Sequence, residues 1–321
     1  MREPNIEKAF LFKVHRLLLA LMLGPQVGCA QRLLLAEDAV IPRGQPAELA
    51  AAVDEQALVI FTKGVPNTPV EFYLDKEKVG EARTDQEGRA SANVGAREGT
   101  TTFTARAKVG NREIETGGRV YHWDPEQPAI AVDIDETLSL SEYINIIWGD
   151  GLGSRALPGS AEGVQQLAKD YQIIYYSIRP RFMYDRTRKW LEKKGFPDGP
   201  IIFTDSFHAA FHQTERKRRM LADLRSRWPN VEIGIGDKLT DVVACNDNQM
   251  LPIIVNSLLP KFKQHAIVVR DWKTLVARPE LTERLAGRRR QRSEEVPAAH
   301  EPIHTVANAL PNPDDAPVTD R

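Results

Sequence analysis

Two aspartates separated by one residue are the side chains best suited to chemistry in this sequence. Asp133 and Asp135 come directly after the apolar residues 130–132. Carboxylates at the end of a buried strand are costly to leave charged unless a metal ion or a substrate compensates them. One such carboxylate can attack a reacting atom while the other moves protons. The pair therefore predicts a catalytic site.

Further polar residues follow in an order that suits phosphate chemistry. Ser177 and Arg179 come after another apolar run, where a hydroxyl and backbone N–H groups can hold phosphate oxygens. Lys217 lies near the start of a predicted helix, and its charge can neutralise a phosphoryl group. Asp237 and Asp241 lie in a Gly-Asp-x-x-x-Asp pattern and offer the hard oxygen ligands that suit magnesium. The structural alternatives are a strand-end cap for Ser177, a helix N-cap for Asp241, and a slip of register from Lys217 to the neighbouring arginines.

The elements around these residues predict a parallel sheet. Short apolar runs without alternation are typical of strands covered on both faces, and here they alternate with helix-like stretches. We predict a doubly wound α/β domain over residues 129–285. Ligands bind beyond the carboxyl ends of the strands in such a sheet, so the polar residues above should lie together. The predicted strands are 130–132, 173–176, 201–203, 233–235 and 253–255, and the predicted helices are 161–170, 184–194 and 217–227.

The order Asp-x-Asp-x-Thr, Ser, Lys and Gly-Asp-x-x-x-Asp resembles the four motifs of the haloacid dehalogenase superfamily, over residues 129–279. The resemblance implies that Asp133 is a nucleophile that forms an aspartyl phosphate. Asp135 would protonate the leaving oxygen and then activate water, as a general acid followed by a general base. An aspartate as the second carboxylate is typical of the phosphatases in this superfamily and argues against carbon–halogen chemistry.

The same resemblance implies an Mg²⁺ cofactor and a clamp for phosphate. The metal would be held by the Asp133 carboxylate, the Asp135 backbone carbonyl and Asp237, with Asp241 bound directly or through water. The residues that would hold the phosphoryl oxygens are Ser177, Arg179, Lys217 and Thr137.

Resemblances to particular phosphatase groups within the superfamily narrow the substrate class. Residues 176–180, 187–191 and 196–200 are similar to stretches of the lipin-type and actin-patch-type phosphatidate phosphatases. Glu136 departs from the Gly or Asp usual in the lipin group and, with residues 156–159, is similar to the class C acid phosphatases, bacterial lipoproteins that hydrolyse nucleotides. Short spacers between the motifs predict an open site that suits a large substrate. We favour phosphatidate or a related lipid phosphate, with a nucleotide or another small phosphomonoester as the alternative.

The segment that precedes the α/β domain is predicted to be all β. Residues 57–62, 70–74 and 101–107 are enriched in β-branched and aromatic residues, with turn signals between them. We predict a small antiparallel β-sandwich over residues 39–122, which resembles bacterial immunoglobulin-like modules. Two prolines in residues 123–128 predict a linker. An alternative of another class is that this sandwich is the working part of a cell-envelope binding protein and the phosphatase fold is inert.

The first 30 residues predict a targeting segment. Basic residues precede the apolar run 17–23, and small residues surround Cys29. This ending resembles a bacterial lipoprotein signal, which implies lipidation of Cys29 and a membrane-anchored protein of the cell envelope that faces the periplasm. The alternatives are an amphipathic helix with an unmodified thiol and a start codon placed too early.

Composition limits the remaining possibilities. A net charge of −1 with 27% charged residues is that of an ordinary globular protein and gives no reason to expect a nucleic acid partner. Two cysteines, Cys29 and Cys245, lie far apart and have no zinc-like spacing, so neither a disulfide framework nor a zinc site is expected, and Cys245 is predicted to be a small core residue. Residues 286–321 contain few large apolar side chains and are predicted to be a disordered tail.

Overall fold

A computed structural model describes residues 31–58, 61–109, 111–140, 154–204, 213–255, 265–278 and 280–281. The predicted signal segment with Cys29 and the predicted tail from residue 286 lie outside these ranges. The described residues up to Ala277 belong to one compact unit. None of the described helices is both long enough and apolar enough to span a membrane.

Nine strands in the described part of residues 31–123 form two sheets. The first sheet is antiparallel and joins β1 (Gln31–Glu37), β3 (Ala47–Leu58), β4 (Phe61–Gly64) and β7 (Arg89–Val94). The second sheet contains β2 (Ala39–Pro42), β9 (Arg112–Trp123), β8 (Gly99–Val109), β5 (Pro69–Leu74) and β6 (Glu77–Arg83), in that order. Its strands are antiparallel except for the parallel pair β2 and β9. The described part of this segment contains no helix.

The two sheets share one hydrophobic core. Alternate residues of β5 point inward, so that Val70 and Phe72 are buried together with Leu49 and Val53 of β3. The ring of Phe72 lies 6.3 Å from that of Phe103 on β8. Two sheets around one core agree with the predicted β class, whereas the immunoglobulin-like resemblance stays a prediction.

The prediction of one strand over residues 57–62 is wrong. Strands β3 and β4 pair with each other antiparallel, with Asp54 opposite Gly64, so residues 57–62 include the connection of a hairpin. Gly64, at the end of β4, lets this strand pass close to the turn before β7, because a Cβ there would lie 2.1 Å from the backbone oxygen of Glu87. A run of β-forming residues has the same local preference on both arms of a hairpin, so composition could not reveal the reversal.

The second part of the chain contains a sheet of six parallel strands. The strand order is β12-β11-β10-β13-β14-β15. All five predicted strands are present, and the two-residue strand β15 was not predicted. The mixed α/β class is therefore confirmed. The strands are β10 (Ala129–Asp133), β11 (Gln172–Pro180), β12 (Ile201–Thr204), β13 (Val231–Gly236), β14 (Leu251–Ile254) and β15 (Ile267–Val268).

Helices pack against both faces of this sheet. Leu221 and Cys245 belong to helices that share a core with Tyr176 of β11. Tyr175, which points the opposite way, contacts Phe196, and Phe196 stacks on Trp190. Cys245 is fully buried, as predicted for a core residue. The described helices are α1 (Ser160–Leu167), α2 (Tyr184–Lys193), α3 (Gln213–Arg227), α4 (Leu239–Asp247) and α5 (Trp272–Val276), with a 3₁₀ turn at Arg181–Met183.

Candidate active site

The central strand β10 and its two neighbours bring the predicted site residues together. Asp133 is the last residue of β10, and Asp135 follows two residues later. On one side, Ser177 and Arg179 lie near the end of β11, which continues beyond the predicted strand. On the other side, Asp237 directly follows β13. These strands are parallel, so all five residues lie at the same edge of the sheet.

Three of the four predicted metal ligands form a compact acidic cluster. Asp133, Asp237 and Asp241 each offer a carboxylate oxygen, and these oxygens lie within 4.8 Å of one another. Gly236 permits this approach, because a Cβ there would lie 2.3 Å from Cγ of Asp241. The carboxylate of Asp135 is directed elsewhere, which leaves the predicted role of its backbone carbonyl as a prediction. Three clustered carboxylates suit a hard divalent cation such as Mg²⁺.

Lys217 reaches into this cluster from α3. Its Nζ lies 3.2 Å from Oδ2 of Asp133 and 2.5 Å from Oδ1 of Asp241. The neighbouring Arg218 and Arg219 instead pair with Glu215 on the exposed side of the helix. The alternative that the register slips to one of these arginines is therefore not supported.

The electrostatics of the cluster show a deficit of positive charge. Burial raises the pKa of Asp133 well above its ordinary value, although Lys217 acts in the opposite direction. Burial also raises the pKa of Asp237 to about 7. For Lys217, burial alone would lower the pKa, but the carboxylates of Asp133 and Asp241 outweigh it and the net shift is upward. One ammonium group does not balance three carboxylates, so the residues present fit a bound divalent cation.

Asp135 occupies a different environment, in which it is held by hydrogen bonds from β11. Arg179 donates from Nε to Oδ2 at 2.9 Å and from Nη2 to Oδ1 at 2.8 Å. Ser177 donates its hydroxyl to Oδ2 at 2.8 Å. The remaining Nη1 of Arg179 donates to the hydroxyl of Thr187 on α2. A bidentate contact of this kind fixes a carboxylate in orientation as well as in place.

Thr137 and Asp241 have contacts that refine their predicted roles. The Thr137 hydroxyl lies 3.4 Å from Asp133 and 3.3 Å from Asp237, next to the acidic cluster. Asp241 lies within the first turn of α4, and its Oδ2 accepts from the backbone N–H of Lys238. The helix begins at Leu239, so Asp241 is not the N-cap residue itself.

Sequence reasoning missed two residues that orient the site. Tyr176 donates its hydroxyl to Oδ1 of Asp241 at 3.0 Å, although it appeared to be only an apolar strand residue. Thr187 accepts from Arg179, although it was predicted only as part of the helix over residues 184–194. The available signal was a pair of tyrosines after two isoleucines in a strand predicted to be covered on both faces, since a buried tyrosine hydroxyl needs a partner.

The rim of the site carries a charged pair on an unusual backbone. Glu136 has a φ of 61°, in the left-handed region, where residues other than Gly and Asn are uncommon. Its carboxylate lies 2.9 Å from Nζ of Lys238. Strained backbone is often found at functional sites. Residues 141–153, between the first two motifs, lie outside the described residues, so the open site stays a prediction.

Comparison with known proteins gives one match to a family. The family described as "PITM 1-3, LNS2 domain" matches residues 130–249, which is less than half of the chain. The matched segment contains all of the predicted catalytic, metal and phosphate-binding residues. No curated protein is significantly similar to this chain.

Solved structures show only low similarity. A D,D-heptose 1,7-bisphosphate phosphatase from B. bronchiseptica, complexed with magnesium and phosphate, is 17% identical and covers 49% of this chain and 99% of its own, with a TM-score of 0.38. A chimeric titin Z1Z2 protein is 14% identical and covers 30% of this chain and 97% of its own, with a TM-score of 0.22. A chain of the Pnkp1/Rnl/Hen1 RNA repair complex is 19% identical and covers 39% and 41%, with a TM-score of 0.35. These TM-scores are too low to carry an argument.

The LNS2 match and the acidic cluster agree with each other. The match covers the strands and helices that supply the cluster. Residues 130–249 are thus similar to an LNS2 domain, and this similarity supports a phosphatase of the haloacid dehalogenase type in this part of the chain.

Proposed function

We propose that this protein is an Mg²⁺-dependent phosphomonoester hydrolase that acts through an aspartyl phosphate, with phosphatidate or a related lipid phosphate as substrate. The observation that carries the proposal is the contrast between the two aspartates after β10. Asp133 faces the acidic cluster and Lys217, whereas Asp135 is held by Arg179 and Ser177. Two carboxylates in different environments can perform different steps of one reaction.

In the proposed reaction, an oxygen of Asp133 attacks phosphorus while the bond from phosphorus to the leaving oxygen breaks. Asp135 gives its proton to that oxygen. Asp135 then takes a proton from water, and the resulting oxygen attacks phosphorus and releases inorganic phosphate and free Asp133. Lys217 neutralises charge on the phosphoryl group, and we propose that the Ser177 hydroxyl turns from Asp135 to a phosphoryl oxygen. Bound Mg²⁺ would supply further charge neutralisation between Asp133, Asp237 and Asp241.

The lipid substrate is supported by apolar side chains beside the site. Leu140 and Leu239 are 48% and 53% exposed, and they are the large hydrophobic residues that stand out as exposed among the described residues. Leu140 lies in the segment after β10 and Leu239 in the segment after the adjacent strand β13. Leu140 follows Thr137 by three residues and Leu239 follows Asp237 by two, and we propose that these two exposed side chains contact acyl chains or a membrane surface. A lipid anchor on Cys29, with the active site at the periplasmic side of a bacterial membrane, is part of this proposal.

A nucleotide or another small phosphomonoester is the second candidate. The charged pair of Glu136 and Lys238 at the rim favours it, since these groups can contact a polar leaving group such as a sugar. The two candidates differ in what lies beyond the phosphate, and this difference can be measured.

The test is phosphate release by the purified protein from phosphatidate in mixed micelles and from mononucleotides, with Mg²⁺ and with a chelator. We expect faster, Mg²⁺-dependent release from phosphatidate, and its loss in Asp133→Asn. The matched control is Asp75→Asn, the same chemical change in an exposed turn between β5 and β6. Faster release from nucleotides would contradict the lipid assignment. Equal phosphate release by the wild type and by Asp133→Asn would refute the proposed enzymatic activity and favour a binding protein.

A further inference from the structure

The side chain of Asp38 connects the β-rich part of the chain, residues 31–123, to the α/β part, residues 129–276. Asp38 lies between β1 and β2, and its side chain has no exposed area. Oδ1 accepts from the backbone N–H of Arg119 at 3.0 Å and from the hydroxyl of Tyr184. Oδ2 accepts from the backbone N–H of Ile201 at 2.9 Å and from Nη2 of Arg188. Elements of both parts therefore fix this one carboxylate.

Arg188 of α2 is the main cationic partner of Asp38. Its Nη1 also donates to Asp198 at 3.0 Å and to the backbone oxygen of Gly199 at 2.8 Å. Asp198 in turn accepts from Arg119 at 2.6 Å and from the Tyr121 hydroxyl at 3.0 Å, both on β9. A buried guanidinium requires such acceptors, because an unpaired charge in the interior is strongly destabilising. The β-rich part thus determines the position of α2.

Helix α2 also supports the candidate general acid. Thr187, the neighbour of Arg188, is 1% exposed, and its hydroxyl accepts from Nη1 of Arg179 at 2.9 Å. Arg179 holds both oxygens of Asp135. Hydrogen bonds and one helix therefore join Asp38 to Asp135.

A second connection fixes the segment between β11 and α2. Glu37, the last residue of β1, accepts from Nη1 of Arg181 at 3.2 Å. Arg181 also lies 3.6 Å from Asp54 of β3. Arg181 is only two residues after Arg179. The β-rich part therefore contacts the chain next to Arg179, through Arg181, and also helix α2, through Arg188.

We propose that Asp38 is a positioning residue for Asp135, and hence that the β-rich part is a component of the active site's supporting structure. The inference rests on the proposed function, in which Asp135 protonates the leaving oxygen. Proton transfer needs the carboxyl within hydrogen-bonding reach of that oxygen, so a small displacement of Arg179 is costly to the rate. Loss of the Asp38 charge would release Arg188, shift Thr187 and loosen Arg179.

The test compares two substrates that differ in their need for a proton. Phenyl phosphate has a basic leaving group and depends on the acid, whereas 4-nitrophenyl phosphate leaves readily as an anion. For Asp38→Asn, we compare kcat/KM, which reports the steps up to release of the phenol and excludes the later action of Asp135 as a base. We expect kcat/KM to fall roughly tenfold to a hundredfold with phenyl phosphate and less than about threefold with 4-nitrophenyl phosphate. An equal fall with both substrates would overturn the proposal, because a general loss of folded enzyme affects them alike.

Two variants accompany this measurement. Tyr184→Phe removes one donor to Asp38 and leaves the charges in place, so it should show the same substrate dependence to a smaller extent, and it serves if Asp38→Asn does not fold. Glu55→Gln removes an exposed carboxylate that pairs with Arg32 within the first sheet, and it should change neither substrate. A preference in Glu55→Gln equal to that of Asp38→Asn would also overturn the proposal.

A second measurement does not depend on activity. The backbone N–H of Arg179 donates to Ser177 Oγ, and amide exchange in residues 177–191 reports how firmly this segment is held. Asp38→Asn should exchange at least about tenfold faster there than the wild type, and Glu55→Gln should not. If the wild type hydrolyses no phosphomonoester, the proposed function fails, while exchange still decides whether Asp38 holds Arg179. Unchanged exchange in Asp38→Asn would refute that connection.

Discussion

The ammonium group of Lys217 lies 3.2 Å from Oδ2 of Asp133, and both side chains are almost completely buried. The contact joins the middle of the sheet to helix α3 at the point where we propose that phosphorus is attacked. Charge in this position affects both the reaction and the stability of the fold, and the two effects can be separated.

Lys217→Met is expected to remove activity and to destabilise the metal-free protein. The loss of the cation leaves Asp133 and Asp241 without their ammonium partner, which costs roughly 3–5 kcal/mol of unfolding free energy for a buried pair. Urea denaturation with and without Mg²⁺ measures this cost, and phosphate release should fall at least about a hundredfold. The control is Lys193→Met at the exposed end of α2. If Lys217→Met and Lys193→Met behave alike, Lys217 has no role in the cluster.

The metal-free protein should lose stability as the pH rises through neutrality. The folded state raises the pKa of Asp237 from 3.8 to about 7, chiefly by burial, so the folded protein binds this proton more tightly than the unfolded chain. Its contribution is therefore fully present below about pH 4 and is lost as the pH rises to about 7, with a total on the order of 2–4 kcal/mol. Thermal unfolding from pH 5 to pH 8 should show a falling Tm in chelator. The fall should be smaller in Asp237→Asn, and an identical slope in both proteins would contradict this origin.

Gly236→Ala is expected to disrupt the acidic cluster. A Cβ at this position would lie 2.3 Å from Cγ of Asp241, so the carboxylate or the strand must move. We expect at least about a tenfold loss of Mg²⁺ affinity by calorimetry and a loss of roughly 1–3 kcal/mol in stability. Gly95→Ala is the matched control, because a Cβ there would have no neighbour within 4 Å. Normal Mg²⁺ affinity in Gly236→Ala would contradict the expectation that metal binding requires the close approach of Asp241 to Gly236.

Leu140 and Leu239 should affect hydrolysis only when the substrate is embedded in a lipid surface. The double variant Leu140→Ser and Leu239→Ser removes the two exposed leucines. We expect KM for phosphatidate in vesicles to rise at least about tenfold, because each leucine buried in lipid contributes roughly 1.5–3 kcal/mol. Hydrolysis of a water-soluble aryl phosphate by the same variant is the internal control and should not change. A loss with both substrates would indicate damage to the site instead of lost lipid contact.

Much of the site could be predicted because its motifs are local and fall at strand ends. Asp133, Ser177 and Asp237 each follow an apolar run. The carboxyl ends of parallel strands meet at one edge of the sheet, so these residues are expected to lie together. The support for Asp135 could not be predicted in this way. The contact between Asp38 and Arg188 joins residues 150 positions apart, and no local pattern around either residue points to the other.

The fold was predicted best where burial determines the pattern. The continuous apolar runs of the parallel sheet specify strands directly, because both faces are covered. The connection between β3 and β4 was missed, since residues on both arms of this hairpin have the same local preference for strand. Strand β15 has only two residues, and such a short length carries no periodic signal.

The central place of β10 also has a consequence for the order of folding. The acidic cluster needs β10 beside β13, and the contact between Thr137 and Asp237 closes a loop of 100 residues. Loops of this length form slowly, so repulsion among the carboxylates is felt only late on the folding pathway, near the native state. A cation bound to the completed cluster has no counterpart in the transition state, and it therefore acts by slowing unfolding and hardly changes the rate of folding.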